Sequence, residues 1–526
     1  LISADSFLSS PIIGSSEERH YLDFFHAHTS RALAGTFATG FWTQVLPQLS
    51  HSEPAIRHAL LAVSSLHAQL DDGGQGKQVV VGKEFSLKQY NRAIAALQDR
   101  LRLASRDGGE ATDTVLVCCL LFIVLECLRG NREVTLTHLQ NGLSILAQHA
   151  ASRPSQRLLQ SSTTAPSNPS DIHATLAPIF SRLDTQLTLF GKPVSDEELT
   201  AAFQNLPRVM CAFGSVLEAK SYMDMLIGLS LRFVHSAITK KFGGVSPTQD
   251  MYARQFELLA GFWRWQCGFE TLMLESDVGT WAGNSQGQHT MPPLTPQLQR
   301  EALLLRIRHK SSFIWLSTCL DPSELAFDTH VATFEGIITY AKALLQLPAQ
   351  PTCPGSTASS GTGTGPTGGN SGGRAGGNGL PSFTLDMALI PALYLTAIKC
   401  RTSWIRRSAI ALLHSLPGRE GLWDAQIHAR VAERVVGIEE AGRGMGMGMG
   451  MRMGMGIGGG GADGTDGGDG DGGGIFWIPP EEARVYNAQI VTERERKPER
   501  TVVTFFTKPE GVEGAWTIWK ETIPMD

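Results

Sequence analysis

Oily residues recur along this chain mostly at the spacing of buried helix faces. The first such signal begins near Glu17, where Tyr21, Phe24 and Phe25 stand at i, i+3 and i+4. Residues 1–16 before it form a Ser-rich, unpatterned lead, expected to be disordered. Trp42 to Leu49 reads as a short helix or turn. A clearer helix is expected from Pro54, with Ser52 as N-cap, Glu53 at the positive helix end and Pro54 in the first turn. Ile56, Leu60, Val63 and Leu70 mark its buried face, and Asp71-Asp72-Gly73-Gly74 stops it. Phe85 to Leu101 predicts another helix. Thr114 to Leu128 is apolar almost throughout, the mark of a helix buried on most sides. Gly130-Asn131 ends it, and Val134 to Leu146 resumes with Leu136, Leu139, Leu143 and Leu146 on one stripe.

Beyond a Ser/Thr/Pro-rich loop at 151–171, helical patterns return at Leu176 to Phe190, Arg208 to Lys241, Met251 to Leu274, Pro296 to Leu320, Glu324 to Leu347 and Leu385 to Leu416. Asp424 to Ala441 follows, with Asp424 a good N-cap. Strand-like runs are nearly absent until the end, where Val502 to Thr507 and Ala515 to Lys520 flank Pro509-Glu510-Gly511 and predict a β-hairpin. The expected architecture is all-α: an irregular multi-helix body at 17–441, a short C-terminal β-hairpin in a tail at 475–526, and Gly-rich disordered insertions. One insertion lies at about 350–381 and, as a flexible coil, would span on the order of 30 Å. The other is a Met/Gly and Gly/Asp linker at 442–474. No repeat of fixed period is present, which disfavours a regular helical array.

Composition narrows the function classes. The 526 residues are 42% apolar and 18% charged, enough for a sizeable core, and much of the glycine (56 residues) sits in the two tracts. A net charge of -5 argues against coating nucleic acid over a broad surface, which needs clustered Lys and Arg. The eight cysteines (Cys118, Cys119, Cys127, Cys211, Cys267, Cys319, Cys353 and Cys400) include no C-x2-C pair, and their scatter suits a reducing compartment. The longest apolar run, Val115 to Leu125, is too short to span a bilayer, and no signal peptide is evident, so a soluble intracellular chain is expected.

Few residues suggest chemistry. Met445, Met447, Met449, Met451, Met453 and Met455 stand at alternate positions, separated by Gly except at Arg452; thioethers bind Cu(I), but no Cys or His accompanies them and compositional drift accounts for the run. Asp463 to Gly474 lacks the ordered ligands of a calcium loop and reads as a solvated linker. His26 and His28 point to different faces of a helix. Glu126 in its apolar helix is expected to pair with Arg129, with Arg132 further on; a catalytic acid is the alternative reading. Arg401, Arg406 and Arg407 read as structural arginines rather than an anion or DNA site. Arg494-Glu495-Arg496-Lys497-Pro498 reads as a nuclear-targeting stretch or a charged turn. No H-E-x-x-H, G-x-S-x-G or phosphate-cradling loop occurs. No catalytic or metal residue is assigned, and no cofactor site is named.

Four ordered blocks resemble the fungal-specific transcription factor domain that accompanies zinc binuclear-cluster modules. The first is Trp42, then Glu53-Pro54-Ala55-Ile56-Arg57-His58-Ala59-Leu60 and Ser64-Ser65-Leu66-His67. The second is Tyr90-Asn91-Arg92-Ala93-Ile94. The third is Cys119-Leu120-Leu121-Phe122 with Glu126, Arg129-Gly130-Asn131, His138-Leu139 and Asn141-Gly142. The fourth is Cys400-Arg401, Arg406-Arg407-Ser408-Ala409-Ile410 and Arg419-Glu420-Gly421-Leu422-Trp423-Asp424, with Trp477-Ile478-Pro479 and Arg484-Val485 in the tail. The resemblance implies a helical regulatory region of an RNA polymerase II transcription factor, located in the nucleus, not an enzyme. It would receive signals from co-regulators, mediator-type proteins or a small-molecule effector, and a homodimer is compatible with it. The family's zinc module, two C-x2-C-x6-C halves, is absent from this sequence. Zinc and DNA contact are therefore expected only through a module before Leu1. A non-DNA-binding scaffold or co-regulator is the alternative, and an α-helical enzyme the third.

Overall fold

The most apolar stretch of the chain becomes the helix around which the first half is built. A computed structural model describes residues 14–36, 40–71, 77–107, 111–152, 172–188, 212–279, 295–348, 381–387, 389–416, 418–441, 478–493 and 500–524. The lead before Gly14, the loop at 153–171, the Gly tract at 349–380, the Met/Gly and Gly/Asp run at 442–477 and the Arg494–Pro498 stretch lie outside those residues.

The first half holds α1 (Ser16–Phe24), a π turn (Phe25–Thr29), α2 (Ser30–Ala34), a second π turn (Phe41–Val45) and α3 (Leu46–Ser52). It continues with α4 (Pro54–Asp71), α5 (Lys77–Asp107), α6 (Thr112–Arg129), α7 (Arg132–Ser152) and α8 (Ile172–Thr188). Every residue of α6 from Leu116 to Leu128 is buried, and α4, α5, α7 and α8 pack on it. Burial of each leucine there contributes about 2 kcal/mol. Gly130 ends α6 in the left-handed conformation (φ 65°), its N–H donating to the Cys127 carbonyl. Gly142 on α7 admits α8: a Cβ there would stand 2.2 Å from the Phe180 ring.

Two boundaries shift. Helix α1 starts at Ser16, capped by Ser15 in a reciprocal box with Glu18, so the last residues assigned to the lead are ordered. Ser52 does not cap α4. It closes α3, its hydroxyl donating to the Leu49 carbonyl at 3.2 Å, because Pro54 pushes Glu53 into extended backbone (φ -108°) and places the break there.

The second half holds α9 (Val216–Phe242), α10 (Gln249–Gly279), α11 (Pro296–Thr318), a 3-10 turn (Glu324–His330) and α12 (Val331–Gln346). Then come α13 (Leu389–Lys399), α14 (Ser403–Ser415) and α15 (Ala425–Ala441). The pattern over Leu385 to Leu416 thus covers two helices, broken at Cys400–Thr402. Asp424 caps α15 as expected, accepting from the Ile427 N–H at 3.0 Å. One apolar cluster joins α9, α10 and α11; another joins α11 to α15 and the C-terminal sheet.

Two small sheets complete the fold. Strands β1 (Phe383–Thr384), β2 (Arg419–Glu420) and β3 (Trp423–Asp424) make a two-residue-wide patch that sequence pattern is too short to signal. Gly418 is required beside it: φ is 132°, and a Cβ would sit 1.8 Å from the Ser382 carbonyl oxygen. The C-terminal hairpin is present as β5 (Arg500–Thr507) and β6 (Thr517–Ile523), and an additional strand, β4 (Val485–Glu493), pairs antiparallel with β5. Along β5, Thr501, Val503, Phe505 and Thr507 point inward, the alternation of a half-buried strand.

Candidate functional site: a charged cavity between α8, α9 and α11

The residues that carry the family resemblance are mostly structural ties. His58 Nδ1 lies 2.6 Å from Gln89 Oε1, and Gln89 and Arg92 both donate to Glu18, joining α1, α4 and α5. Ser64 donates to the Tyr21 carbonyl at 2.5 Å. His67 is buried between the hydroxyls of Thr29 (3.0 Å) and Ser382 (3.2 Å), and burial pushes its pKa down to about 4. Where α5, α6 and α7 meet, Tyr90 packs edge-on to Phe122 at 5.0 Å and its hydroxyl lies 3.4 Å from His138. Glu126 pairs with Arg129 at 3.2 Å, as expected, and Arg129 lies over the Tyr90 ring. His28, by contrast, stacks on Phe24, apart from this cluster.

Arg401 and Arg406 are structural, as expected. Both are buried and donate to Glu439, at 2.9 and 2.7 Å, while exposed Arg407 pairs with Glu440. Glu439 also accepts the Val485 N–H at 3.0 Å. Burial pushes the Glu439 carboxyl up, but Arg401 and Arg406 outweigh this and hold it below the usual carboxylate range. Lys399 donates to Glu324 at 2.6 Å and to the Tyr486 carbonyl at 2.8 Å; burial lowers its pKa to about 8 against the pull of Glu324. Arg484 forks onto Asp328 at 2.6 and 3.0 Å. Glu481 accepts from the Glu324 N–H at 2.9 Å, the Ser323 hydroxyl and the Tyr486 phenol. Four cations thus meet four carboxylates, and the seam fastens β4 to α13, α14 and α15.

The sequence singled out no residue of one prominent concavity among the described residues. A cavity of about 700 Å³ opens where α8, α9 and α11 meet Asp386, Met387 and Pro391. Its stripe on α9 is Lys220, Asp224, Gly228 and Arg232, at steps of four that line one helix face. Helix α8 adds Arg182, Thr185 and Gln186; α11 adds Arg308, Ser311, Ser312 and Trp315. Asp224 accepts from Lys220 (2.5 Å) and Arg308 (2.6 Å), Asp386 from Arg182 (2.9 Å), and Asp184 behind the wall from Arg232 (2.7 Å). Burial lowers the Lys220 pKa. Burial raises that of Asp224, but Arg308 and Lys220 outweigh it and leave it lowered. Leu217, Met225, Ile227, Trp315 and Met387 supply apolar wall. The described lining joins paired charged groups to an apolar wall, the mixture found in small-molecule pockets. The signal that marks it is a charged, Gly-containing stripe in an otherwise oily helix; its partners lie too far along the chain to be joined to it by spacing.

Among the described residues, no group of three His, Cys, Asp or Glu is placed to hold a metal, and no helix is long and apolar enough to cross a membrane.

Comparison with known proteins agrees with the motif reading. The chain is 25% identical over 489 residues to the aspercryptin biosynthesis cluster-specific transcription regulator of Emericella nidulans, covering 81% of this chain and 74% of that protein. It is 30% identical over 110 residues to a transcription regulator of Purpureocillium lilacinum, covering 20% of this chain and 26% of that one. No solved structure matches. The family description "Fungal specific transcription factor domain" matches residues 20–236, a span that contains α2 to α8 and ends inside α9. Residues 20–236 of this chain therefore belong to the fungal-specific transcription factor domain family, and the chain is a regulatory region of that kind.

Proposed function

We propose that this chain is the signal-receiving body of a nuclear RNA polymerase II transcription factor, that it catalyses no reaction, and that it controls a DNA-reading zinc module outside residues 1–526. The observation that carries this reading is the family match over 20–236. The structure supports it physically: the motif residues His58 and His67 tie separate elements together, and Glu126 holds Arg129 within α6, where Arg129 lies over Tyr90 of α5.

Partner proteins are part of the same reading. Helix α10 presents Tyr252, Phe256 and Trp263 to solvent (48, 73 and 66% exposed), with half-buried Leu259 between them. Their spacing of four, three and four is that of a helix-packing seam, and large aromatics anchor interfaces. A co-regulator presenting an amphipathic helix is the partner proposed for this face, with a second copy of the chain as the alternative outcome. Gene-cluster control, named for the Emericella nidulans relative, is the setting proposed for the target genes.

The test tethers residues 1–526 to an unrelated DNA-binding module upstream of a reporter in a fungal host. The expected result is nuclear accumulation and reporter output that differs from the module alone, in either direction. Output equal to that of the module alone, with the fusion intact and nuclear, contradicts the reading.

A further inference from the structure

We propose that the cavity between α8, α9 and α11 binds a neutral organic molecule with an apolar body and a head that both donates and accepts hydrogen bonds, of which a primary carboxamide is the simplest. As an effector site it rests on the regulatory reading above; the ligand chemistry stands on the cavity itself.

The head group is set by what the polar lining has already committed. Arg182 donates to Asp386, Lys220 and Arg308 donate to Asp224, and Arg232 donates to Asp184 behind the wall. Lys220 and Asp184 make further interactions besides. Each of these charges is engaged within the protein, and the preference follows from that engagement rather than from any sum of signs. An ionised head has two courses: it draws one of these groups away from its partner, or it gives up its water without gaining a counter-ion. Both are unfavourable among side chains only 8–28% exposed. A neutral head meets neither penalty. An ion pair sets N–H donors beside carboxylate lone pairs, and a carboxamide is its complement, with a carbonyl to accept and an NH2 to donate. Hydroxyls extend the match. Thr185, Ser221 and Ser311 donate to the carbonyls of Ser181, Leu217 and Arg308 at 3.0, 2.9 and 3.1 Å, so to a ligand these oxygens can only accept. The body is set by Leu217, Met225, Ile227, Trp315 and Met387, a wall that rewards an alkyl chain or an aromatic ring. A volume of about 700 Å³ falls in the range of small-molecule sites. The cavity also bridges the family-matched span, which supplies the α8 and α9 walls, and the later helices, which supply Arg308 and Trp315. Its occupant would therefore touch both halves of the molecule.

The experiment is calorimetric titration of the full chain with octanamide and 1-naphthamide. Octanoate, octylammonium, 1-naphthoate and 1-naphthylmethylammonium serve as charged counterparts, and 1-methylnaphthalene as a body without a head. At least one amide should bind about tenfold or more tighter than both charged counterparts of the same body, and added salt should leave its affinity unchanged. Ser221→Ala/Ser311→Ala is the variant that keeps the fold: Ser221 is exposed, Ser311 is half-buried, and alanine suits the interior of both helices. It should weaken 1-naphthamide about threefold and leave 1-methylnaphthalene unchanged. Ser221→Trp sets an indole at the exposed edge of the cavity and should weaken both. A carboxylate or ammonium that binds as tightly as its amide, no binding of either amide, or amide binding that neither variant alters overturns the proposal. The same amides applied to the tethered reporter separate the two readings. Binding without a change in output contradicts the effector role and leaves the ligand class standing. Altered basal output without binding sinks the ligand class and leaves the regulatory reading standing.

Discussion

The interior around α6 and the seam beneath the C-terminal sheet are both buried, yet they are held by opposite means. Around α6 the contacts are apolar and interchangeable in kind: Leu116, Leu120, Ile123 and Val124 are fully buried among leucines, cysteines and aromatics. In the seam, Lys399, Arg401, Arg406 and Arg484 face Glu324, Asp328, Glu439 and Glu481. Removing a methyl group from the first loses contact and leaves a void. Removing one charge from the second leaves its partners in a medium that cannot solvate them. The first interior tolerates drift; the second changes only in matched sets. That difference suits their tasks. The core builds the domain, and the seam sets where the returning chain at 478–493 docks on helices more than 30 residues away.

Acid should produce the largest effect, because it acts at once on three buried rings, each packed against a different apolar cluster. His67, His309 and His428 are buried, and burial pushes each pKa down to about 4. Their folded values lie below the ordinary histidine value, so between about pH 6.5 and 4 the unfolded chain binds more protons. Stability is therefore lost as pH falls through that window, by up to about 4 kcal/mol per pH unit for three sites. Urea unfolding at pH 7 and pH 5 measures this, and His67→Gln should lower the slope by about a third. A pH-independent midpoint would show that these rings are solvated.

Glu439→Ala comes next. It strands Arg401 and Arg406 and should cost about 4 kcal/mol, read from the denaturation midpoint at pH 7. Leu120→Ala in the apolar core should cost about 3 kcal/mol, without the salt or pH sensitivity of the seam variant. Gly142→Ala should cost about 2 kcal/mol, because the new methyl meets the fully buried Phe180 ring. Equal salt dependence of Glu439→Ala and Leu120→Ala would erase the distinction between the two regions.

What sequence reveals follows the same division. Helices α4, α6, α7 and α15 are legible because their burial is periodic and local, and Gly130 and Asp424 punctuate them as expected. The break at Cys400–Thr402 is not legible. There Arg401 turns inward onto the Lys399 carbonyl and Glu439, and a partner 38 residues away leaves no local trace. Strand β4 is missed because its pairing with β5 spans 494–499, and its start depends on Glu439 accepting the Val485 N–H. The cavity is missed for the same reason. Lys220 and Asp224 are an ordinary i, i+4 pair in sequence, and only the fold brings Arg182, Arg308 and Asp386 around them.

The difference between the two interiors is tested most directly by equilibrium unfolding of Arg401→Met/Arg406→Met/Glu439→Leu beside Glu439→Ala. If the seam is stable because its charges cancel, the apolar triple variant should exceed the single variant by about 2 kcal/mol or more. A triple variant as unstable as Glu439→Ala, or less stable, would show that removing the charges together is no less costly than stranding them, and would contradict the account.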